Sequence, residues 1–199
     1  MDFLPVMEHF HTVQGEGFHT GRSAYFIRLG GCDIGCVWCD VKESWDELAH
    51  PKISVVELSN YAEQSATQFV VITGGEPAMH DLSSLSMNLR KKNIYLAIET
   101  SGCYPLNGEV DWYCFSPKKF KLPCKEAYEK AQELKVIINH KSDFEWAEEH
   151  AKQLTTNCQL YLQPEWSNLE RNTDWIVTYV KSNPKWKISL QTHKYMNIP

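Results

Sequence analysis

The chain has 199 residues, 43 % of them hydrophobic and 12 % aromatic, which is enough to bury a core. Its 25 acidic residues outnumber 20 Lys and Arg, and this net charge of -5 argues against a protein whose main activity is binding nucleic acid. No apolar run approaches the roughly 20 residues of a membrane span, and the first residues lack a signal peptide's basic and apolar regions. We therefore expect one domain over residues 1–199, located in the cytoplasm, with no membrane partner.

Short apolar runs rich in β-branched and aromatic residues alternate with stretches of helical periodicity. Strands are predicted at residues 23–29, 69–73, 94–99, 112–116, 134–138, 160–163 and 186–191. Helices are predicted at residues 54–66, 81–92, 142–153 and 168–182, and Ser54 with Glu57 offers a capping box to the first. This alternation predicts an α/β fold with a mostly parallel sheet, open or partly closed into a barrel.

Glycine, proline and polar residues follow several of the predicted strands. The segments are Gly30-Gly31-Cys32, Thr73-Gly74-Gly75-Glu76-Pro77, Glu99-Thr100-Ser101-Gly102, Ser116-Pro117-Lys118 and Gln163-Pro164. Each segment alone is compatible with an ordinary turn or a solvated loop. Because ligands of parallel sheets bind at the carboxyl ends of the strands, we expect these segments to meet along one rim.

The seven cysteines divide into a cluster of three and four scattered ones. The cluster is Cys32, Cys36 and Cys39, and the others are Cys103, Cys114, Cys124 and Cys158. An odd number without an export signal argues against a disulfide framework, so the scattered cysteines are expected to be small buried hydrophobes. The clustered CxxxCxxC can direct three sulfurs at one metal site. A structural zinc ion needs four ligands, and no second CxxC or HxxxH lies nearby, whereas three thiolates leave one iron of an iron–sulfur cluster open.

The cysteine spacing, with Trp38 before the last cysteine, resembles the signature of the radical S-adenosylmethionine enzymes. The resemblance implies a partial, open parallel βα barrel of about six strands. It implies a 4Fe-4S cluster on Cys32, Cys36 and Cys39 that binds S-adenosylmethionine. The residues that it places at this cofactor are Trp38, Cys39, Asp40, Gly74, Gly75, Glu76, Ser116, Pro117, Lys118, Gln163 and Pro164.

Two further motifs, one near each end of the chain, make the resemblance more specific. The segment Gln14-Gly15-Glu16-Gly17 and the ending QTHKYMNIP resemble the 7-carboxy-7-deazaguanine synthase family. That family is implied to be a carbon–nitrogen lyase of queuosine biosynthesis, which converts 6-carboxy-5,6,7,8-tetrahydropterin into 7-carboxy-7-deazaguanine with release of ammonia. A homodimer and an electron donor such as flavodoxin are implied as well, and the lysines from Lys118 to Lys125 are a possible docking site for an acidic donor.

Substrate contacts are expected from several charged and backbone groups. A pterin presents a donor edge much like that of guanine, which the carboxylate of Glu16 can accept in bidentate fashion. Arg28 offers a fork of donors to the substrate carboxylate, and His193 can bond the substrate or move a proton near neutral pH. The predicted catalytic residues are Glu16 and His193. The predicted substrate-binding residues are Val13, Gln14, Gly15, Glu16, Arg28, Thr73, His193 and Pro199, the last through the terminal carboxylate.

One position departs from the family pattern. Asp40 is followed by Val41, where the family usually has Thr or Ser, whose hydroxyl helps to hold a magnesium ion. Valine has no side-chain oxygen, whereas Mg²⁺ requires octahedral oxygen ligands at short distances. Two alternatives stay open: the ion binds substrate oxygens, water and a carboxylate such as Asp40, or it is absent. We therefore expect Mg²⁺ dependence to be weaker than in the family.

The cysteine motif alone leaves two alternatives open. One is a glycyl-radical activating enzyme, which acts on a protein and would not need the QGEG segment, Arg28 or the QTHKYMNIP ending. The other is an iron–sulfur or zinc protein with a structural or electron-transfer role.

Overall fold

One continuous β-sheet organises the chain in the computed structural model, which describes residues 2–155 and 157–199. Its strands are β1 (Phe3–Val13), β2 (Ser23–Leu29), β3 (Lys52–Ser54), β4 (Phe69–Gly74), β5 (Tyr95–Thr100), β6 (Trp112–Phe115), β7 (Glu133–Ile138), β8 (Gln159–Pro164) and β9 (Trp186–Ile188). They lie in the order β3-β1-β2-β4-β5-β6-β7-β8-β9. The seven strands from β2 to β9 in this order are parallel, and β1 is antiparallel to both of its neighbours. The sheet is not closed into a barrel, so the predicted open, mostly parallel α/β fold is confirmed, although the described sheet has nine strands and not about six.

Helices lie in the crossovers between the parallel strands, except between β5 and β6, where residues 101–111 contain no helix. The α-helices are α1 (Val55–Gln64), α2 (Ser83–Lys91), α3 (Lys125–Lys130), α4 (Asp143–Ala151), α5 (Leu169–Ser182) and α6 (Thr192–Met196). The capping box predicted for α1 is confirmed, because Glu57 N donates to Ser54 Oγ and Ser54 N donates to a Glu57 oxygen. Within the described parts of the chain, no helix is both long and apolar enough to cross a membrane.

The main hydrophobic core lies between the sheet and these helices. Ile27, Ile72 and Ile98, on the neighbouring strands β2, β4 and β5, are fully buried there against Leu58 of α1 and Leu85 of α2. Each such side chain contributes roughly 1.5–3 kcal/mol through its burial. Because side chains alternate along a strand, the residues directly before and after each of these isoleucines point to the opposite face of the sheet.

The opposite face carries polar residues toward the carboxyl ends of the strands. Arg28 of β2 pairs in register with Thr73 of β4, and Glu99 of β5 pairs with Cys114 of β6. Lys135 lies on this face two residues after Glu133 in β7, in register with Tyr161. The parallel register thus brings polar side chains from five strands to one end of the sheet.

All seven predicted strands and all four predicted helices are present, although the predicted strand at 186–191 ends at Ile188. The elements that were not predicted are β1, β3, α3 and α6. In β1, Pro5 lacks a backbone donor, and the register shifts between Val6 and Glu8, so the segment does not show regular strand alternation. The other three elements are six residues or shorter, too short to show a period.

Candidate active site

A cavity of about 720 Å³ lies over the carboxyl ends of the parallel strands. Its volume is typical of a small-molecule site. The cavity is lined by every site residue predicted from the sequence except Pro117. Pro117 lines an adjoining cavity of about 220 Å³, which shares Trp38 and Ile137 with the larger one. The segments after the predicted strands therefore do share a rim.

A buried lysine bridges two carboxylates in the wall of this cavity. Lys135 Nζ donates to Glu16 Oε2 and to Glu99 Oε2, each at 2.7 Å, and its side chain is 4 % exposed. Burial alone would raise the pKa of Glu16, but the charge of Lys135 and hydrogen bonds from Lys135 and Gln191 lower it to about 2. Glu16 is therefore a carboxylate at neutral pH and can accept hydrogen bonds from a ligand.

Lys135 and Glu99 were not among the site residues predicted from the sequence. Lys135 lies inside the apolar run Leu134-Lys135-Val136-Ile137-Ile138, which the pattern reads only as a buried strand. A charged residue in the middle of such a strand was the available signal, since lysines are almost never fully buried unless they are paired. Glu99 was noted only as part of a segment that follows a strand.

The segment that ends the chain is hydrogen-bonded to two other parts of the cavity. Gln191 Nε2 donates to Glu16 Oε1 at 2.9 Å and to Asp40 Oδ2 at 3.4 Å, and Lys194 Nζ donates to the same Asp40 oxygen at 2.9 Å. Thr192 donates through both its backbone N and its hydroxyl to Gly15 O, each at 2.9 Å. The segment 191–194 therefore ties the QGEG loop to the cysteine loop.

His193 lies directly against the backbone of Gly15. A Cβ at Gly15 would lie 2.3 Å from His193 Nδ1, so a glycine is required for this approach. Burial lowers the pKa of His193 below its ordinary value. The imidazole is therefore mainly neutral at pH 7 and is able to accept a proton.

Arg28 is oriented by an ion pair at the edge of the cavity. Its Nε donates to Glu8 Oε1 at 2.6 Å, and its side chain is 20 % exposed. Its strand neighbour Thr73 also lines the cavity. On the same side, Thr12 Oγ1 donates to Pro199 O at 3.2 Å. This arrangement can present guanidinium and hydroxyl donors to an anionic group of a ligand.

The three clustered cysteines and Trp38 line the same cavity. Their loop is held by backbone hydrogen bonds from Cys39 to Cys36 and from Cys32 to Trp45, both of 3.1 Å. In residues 2–155 and 157–199, no three Cys, His, Asp or Glu side chains converge on a point that one metal ion could occupy. In a 4Fe-4S cluster each thiolate binds a different iron, and three cysteines that line one cavity can supply those thiolates.

Gly75 supports the fit of a cluster and its ligand. A Cβ at Gly75 would lie 2.2 Å from Gly31 O and 2.8 Å from Cys32 Cβ, so this glycine packs directly on the cysteine loop. At Gly74, φ is +142° and a Cβ would meet Leu29 N at 2.5 Å, which also requires glycine. The two glycines leave the backbone of this segment open to the cavity beside the cysteines. The residues present therefore fit a 4Fe-4S cluster with a small molecule bound next to it.

Of the four scattered cysteines, only Cys114 is fully buried, so the prediction of four buried hydrophobes was wrong for the others. Cys124 and Cys158 are half-buried against the core, and Cys103 donates from Sγ to Lys121 O at 3.2 Å. A position at the edge of the core, or a polar partner, leaves these thiols partly exposed. All seven cysteines lie in the described part of the chain, and none forms a disulfide.

Glu76 is buried and already has hydrogen-bond donors on both carboxylate oxygens. Ala78 N donates to it at 3.0 Å and Ser101 N at 2.8 Å, and the hydroxyls of Thr100 and Ser101 donate as well. Glu76 therefore ties the loop after β4 to the end of β5, which shapes this wall of the cavity. Its predicted contact with a cofactor stays a prediction.

Lys118 turns back onto the segment that precedes it. Its Nζ donates to Ser116 O and Ser116 Oγ, both at 2.6 Å, and lies 5.8 Å from the centre of the Trp38 ring. Burial lowers the pKa of this lysine. The two predicted cofactor residues Ser116 and Lys118 thus lie together beside the cysteine loop.

The oxygen atoms around Asp40 do not form a magnesium site. The Asp40 carboxylate is paired with Lys194, and Val41 contributes only its carbonyl, which accepts hydrogen bonds from Ser44 N and Ser44 Oγ. Mg²⁺ needs several oxygen ligands in octahedral geometry. The residues present do not fit this ion.

Comparisons with known proteins agree along nearly the whole chain. The model of the Radical SAM superfamily matches residues 26–155. The chain is 55 % identical over 199 residues to the 7-carboxy-7-deazaguanine synthase of Flavobacterium psychrophilum, covering 100 % of this chain and 94 % of that protein. It is 34 % identical to the 7-carboxy-7-deazaguanine synthase of Escherichia coli K12, covering 98 % of each. The crystal structure of QueE from Escherichia coli matches with a TM-score of 0.85 at 31 % identity, covering 94 % of this chain and 93 % of that one.

Proposed function

Since the chain belongs to the radical SAM superfamily and, within it, to the 7-carboxy-7-deazaguanine synthase family, we propose that it converts 6-carboxy-5,6,7,8-tetrahydropterin into 7-carboxy-7-deazaguanine with release of ammonia. The chain is accordingly a lyase of queuosine biosynthesis, and the alternatives of an activating enzyme or a structural metal protein are not supported. One observation carries the proposal: a single cavity holds the carboxylate of Glu16, the guanidinium of Arg28 and the three clustered cysteines.

In this proposal the carboxylate of Glu16 and the guanidinium of Arg28 orient the substrate. The amino-pyrimidinone edge of a pterin carries N–H donors, which the ionised carboxylate of Glu16 accepts. The substrate carboxylate binds the Arg28 fork, whose Nε is already held by Glu8. Because this carboxylate is attached to C6, a substrate bound in this way has C6 beside Arg28, in the cavity that the three cysteines also line. Orientation of this kind lowers the entropic cost of the reaction.

The cavity also provides for the proton transfers that accompany loss of ammonia. His193 is mainly neutral because burial lowers its pKa, so it can take a proton released during ring contraction and return it to the departing amine. Glu16, whose pKa is about 2, stays ionised and serves as an anchor rather than as an acid. In this proposal the two predicted catalytic residues have distinct roles.

Cys32, Cys36 and Cys39 would hold the 4Fe-4S cluster, with S-adenosylmethionine bound beside Trp38, Gly74, Gly75, Ser116 and Lys118. When bound, this pair supplies the one-electron chemistry that removes a hydrogen atom from the substrate. The indole of Trp38 and the packed Gly75 segment exclude water from this side of the cavity. No step requires Mg²⁺, for which the residues at Asp40 provide no site.

Three further proposals concern partners and location. The electron donor, a flavodoxin or a similar acidic protein, docks at the loop from Lys118 to Lys125, where Leu122 is 89 % and the Lys125 side chain 90 % exposed. Lys119 and Lys121 in this loop are already paired with Asp143 and Asp33. The protein works in the cytoplasm, whose reducing conditions suit unpaired cysteines. The proposal of a homodimer is supported by the family alone, and light scattering of the purified protein tests it.

Substrate analogues test the assignment of the two anchors. Reconstituted, reduced protein is given 6-carboxytetrahydropterin, tetrahydropterin without the carboxylate, or an analogue without the 2-amino group. We expect the first to give 7-carboxy-7-deazaguanine and each analogue to bind at least tenfold more weakly. Arg28→Lys should weaken binding of the carboxylated compound and leave tetrahydropterin unaffected. Equal binding of all three compounds would contradict the proposed orientation.

A further inference from the structure

The bridge from Lys135 to two carboxylates has no role in the steps proposed above. Its ammonium contacts Glu16 Oε2 and Glu99 Oε2 at equal distances of 2.7 Å, and all three side chains line the cavity. We propose that Lys135 is a positioning residue that holds Glu16 and Glu99 side by side as ionised acceptors for the donor edge of the substrate. This inference rests on the proposed function and extends it to two residues.

The register of the sheet explains how one lysine reaches both groups. Glu99 is on β5 and Lys135 on β7, and the intervening strand β6 carries Cys114 between them, in register with both Glu99 and Glu133. Cys114 is fully buried and small, so the lysine side chain can extend across β6 to Glu99. A larger side chain at this position would stand in its path.

Both carboxylates are also fixed by a second, neutral donor. Gln191 donates to the other oxygen of Glu16 at 2.9 Å, and Gln14 donates to the other oxygen of Glu99 at 3.3 Å. The amides fix the orientation of the carboxylates without adding charge. Lys135 is therefore the group that compensates their charge at this point.

Further acidic groups lie near Glu16 and Glu99, so the negative charge of these two carboxylates needs a nearby cation. The titratable groups that interact with Lys135 or Glu16 are Glu99 on β5, Cys114 on β6, Lys118 after β6, Glu133 on β7 and His193 on α6. Burial raises the pKa of Glu133 to about 7, so this group carries only part of a charge at neutral pH. Burial opposes the charge of Lys135, but Cys114 and the carboxylates of Glu16, Glu99 and Glu133 raise its pKa well above the ordinary value.

Without the ammonium, the two adjacent carboxylates would share a proton, because like charges disfavour each other's ionisation. A protonated carboxyl group presents an O–H donor to the N–H donors of the pterin edge. Loss of Lys135 should therefore weaken binding most strongly at low pH, where the pair holds that proton.

The test measures binding of 6-carboxypterin to the anaerobic holoenzyme by equilibrium dialysis between pH 5.5 and 7.5. For Lys135→Met, we expect a dissociation constant at least tenfold above that of the wild type at pH 5.5, with the ratio falling as pH rises. Dividing the dissociation constant of the variant by that of the wild type at the same pH cancels the effect of the ligand's own titration. Lys135→Arg should restore a ratio that is independent of pH, because it keeps the charge. Lys187→Met is the matched control: it removes an exposed lysine that bonds Gln159, and it should bind like the wild type.

A ratio for Lys135→Met that does not change with pH would overturn the proposal. If that variant fails to fold, the double variant Lys135→Met with Glu99→Gln removes the like-charge repulsion. Glu16 then titrates without a cation, so the same fall of the ratio with rising pH is expected. A constant ratio in the double variant would equally overturn the proposal.

Thermal unfolding separates this inference from the proposed function, because it uses no ligand. Lys135→Met removes the charge and the hydrogen bond that lower the pKa of Glu16, and burial then raises this folded-state pKa. The stability contribution of Glu16 is therefore present at low pH and is lost as pH rises. We expect the loss of Tm relative to the wild type to be larger at pH 8 than at pH 5. If the wild type does not bind 6-carboxypterin, the proposed substrate fails while this comparison still tests the lysine. A Tm loss that is the same at both pH values would leave Lys135 with a packing role only.

Discussion

The imidazole of His193 packs on the α-carbon of Gly15 so closely that a methyl group there would lie 2.3 Å from Nδ1. Thr192, the next residue toward the amino end, donates to the carbonyl of the same glycine. The two sequence segments that narrowed the family resemblance therefore form one wall of the cavity. Each segment depends on the other for its shape.

Gly15→Ala should disturb this wall without straining the backbone, since φ at this position is not positive. We expect a loss of about 1–3 kcal/mol in the free energy of unfolding, measured by urea denaturation, because the new methyl group overlaps the imidazole. The matched background is His193→Ala, in which the overlap is gone and Gly15→Ala should cost less than 0.5 kcal/mol or so. Equal costs in both backgrounds would contradict direct packing.

Glu16→Gln keeps the shape of the side chain and removes its charge. Because hydrogen bonds to charged groups contribute roughly 1.5–3 kcal/mol, we expect kcat/KM for the pterin to fall by about 10- to 100-fold. Anaerobic turnover assays measure this. Glu63→Gln, which breaks an exposed ion pair with Lys92, is the control and should leave kcat/KM unchanged. An unchanged kcat/KM in Glu16→Gln would show that another group anchors the donor edge.

Cys36→Ala should abolish cluster assembly, because it removes one of the three thiolates that line the cavity in the described part of the chain. Iron and sulfide bound per chain after anaerobic reconstitution should fall to background. Cys158→Ala removes a half-buried thiol packed on the core and should retain full iron content. Normal iron content in Cys36→Ala would place the cluster on other ligands.

Val41→Thr tests the departure at the position after Asp40. The wild type should turn over substrate nearly as fast with a chelator as with Mg²⁺. Val41 supplies no side-chain oxygen, and the Asp40 carboxylate is already paired with Lys194. The threonine variant should gain a dependence on Mg²⁺, seen as a higher kcat/KM with the ion than without it. A wild type that depends on Mg²⁺ as strictly as Val41→Thr would refute this account of the site.

Much of the fold follows from local patterns that the sequence displays. The strands Ser23–Leu29 and Phe69–Gly74 are apolar runs that end in glycines, and the helix Val55–Gln64 begins at its own capping box. The positions of Gly74, Gly75 and Ser116 near one another follow from the common edge of parallel strands. These features depend on residues that are close together in the chain, so they can be predicted from a single sequence.

The contacts inside the cavity depend on register and could not be predicted in this way. Lys135 looks like one polar residue in an apolar strand. The pairing of β5, β6 and β7 brings it to Glu99, and the loop between β1 and β2 brings Glu16 to it. Likewise, the hydrogen bonds from the hydroxyls of Thr100 and Ser101 to the Glu76 carboxylate were not predicted, because they depend on the pairing of β4 with β5. Periodicity shows which face a residue occupies, but not which partner it meets there.

Turnover of the reconstituted protein tests the central claim most directly. The reduced holoenzyme is incubated anaerobically with S-adenosylmethionine and 6-carboxytetrahydropterin, and 7-carboxy-7-deazaguanine and ammonia are quantified per chain. We predict many equivalents of 7-carboxy-7-deazaguanine, each accompanied by one ammonia. Cleavage of S-adenosylmethionine without 7-carboxy-7-deazaguanine would contradict the account and would assign the cavity to a different substrate.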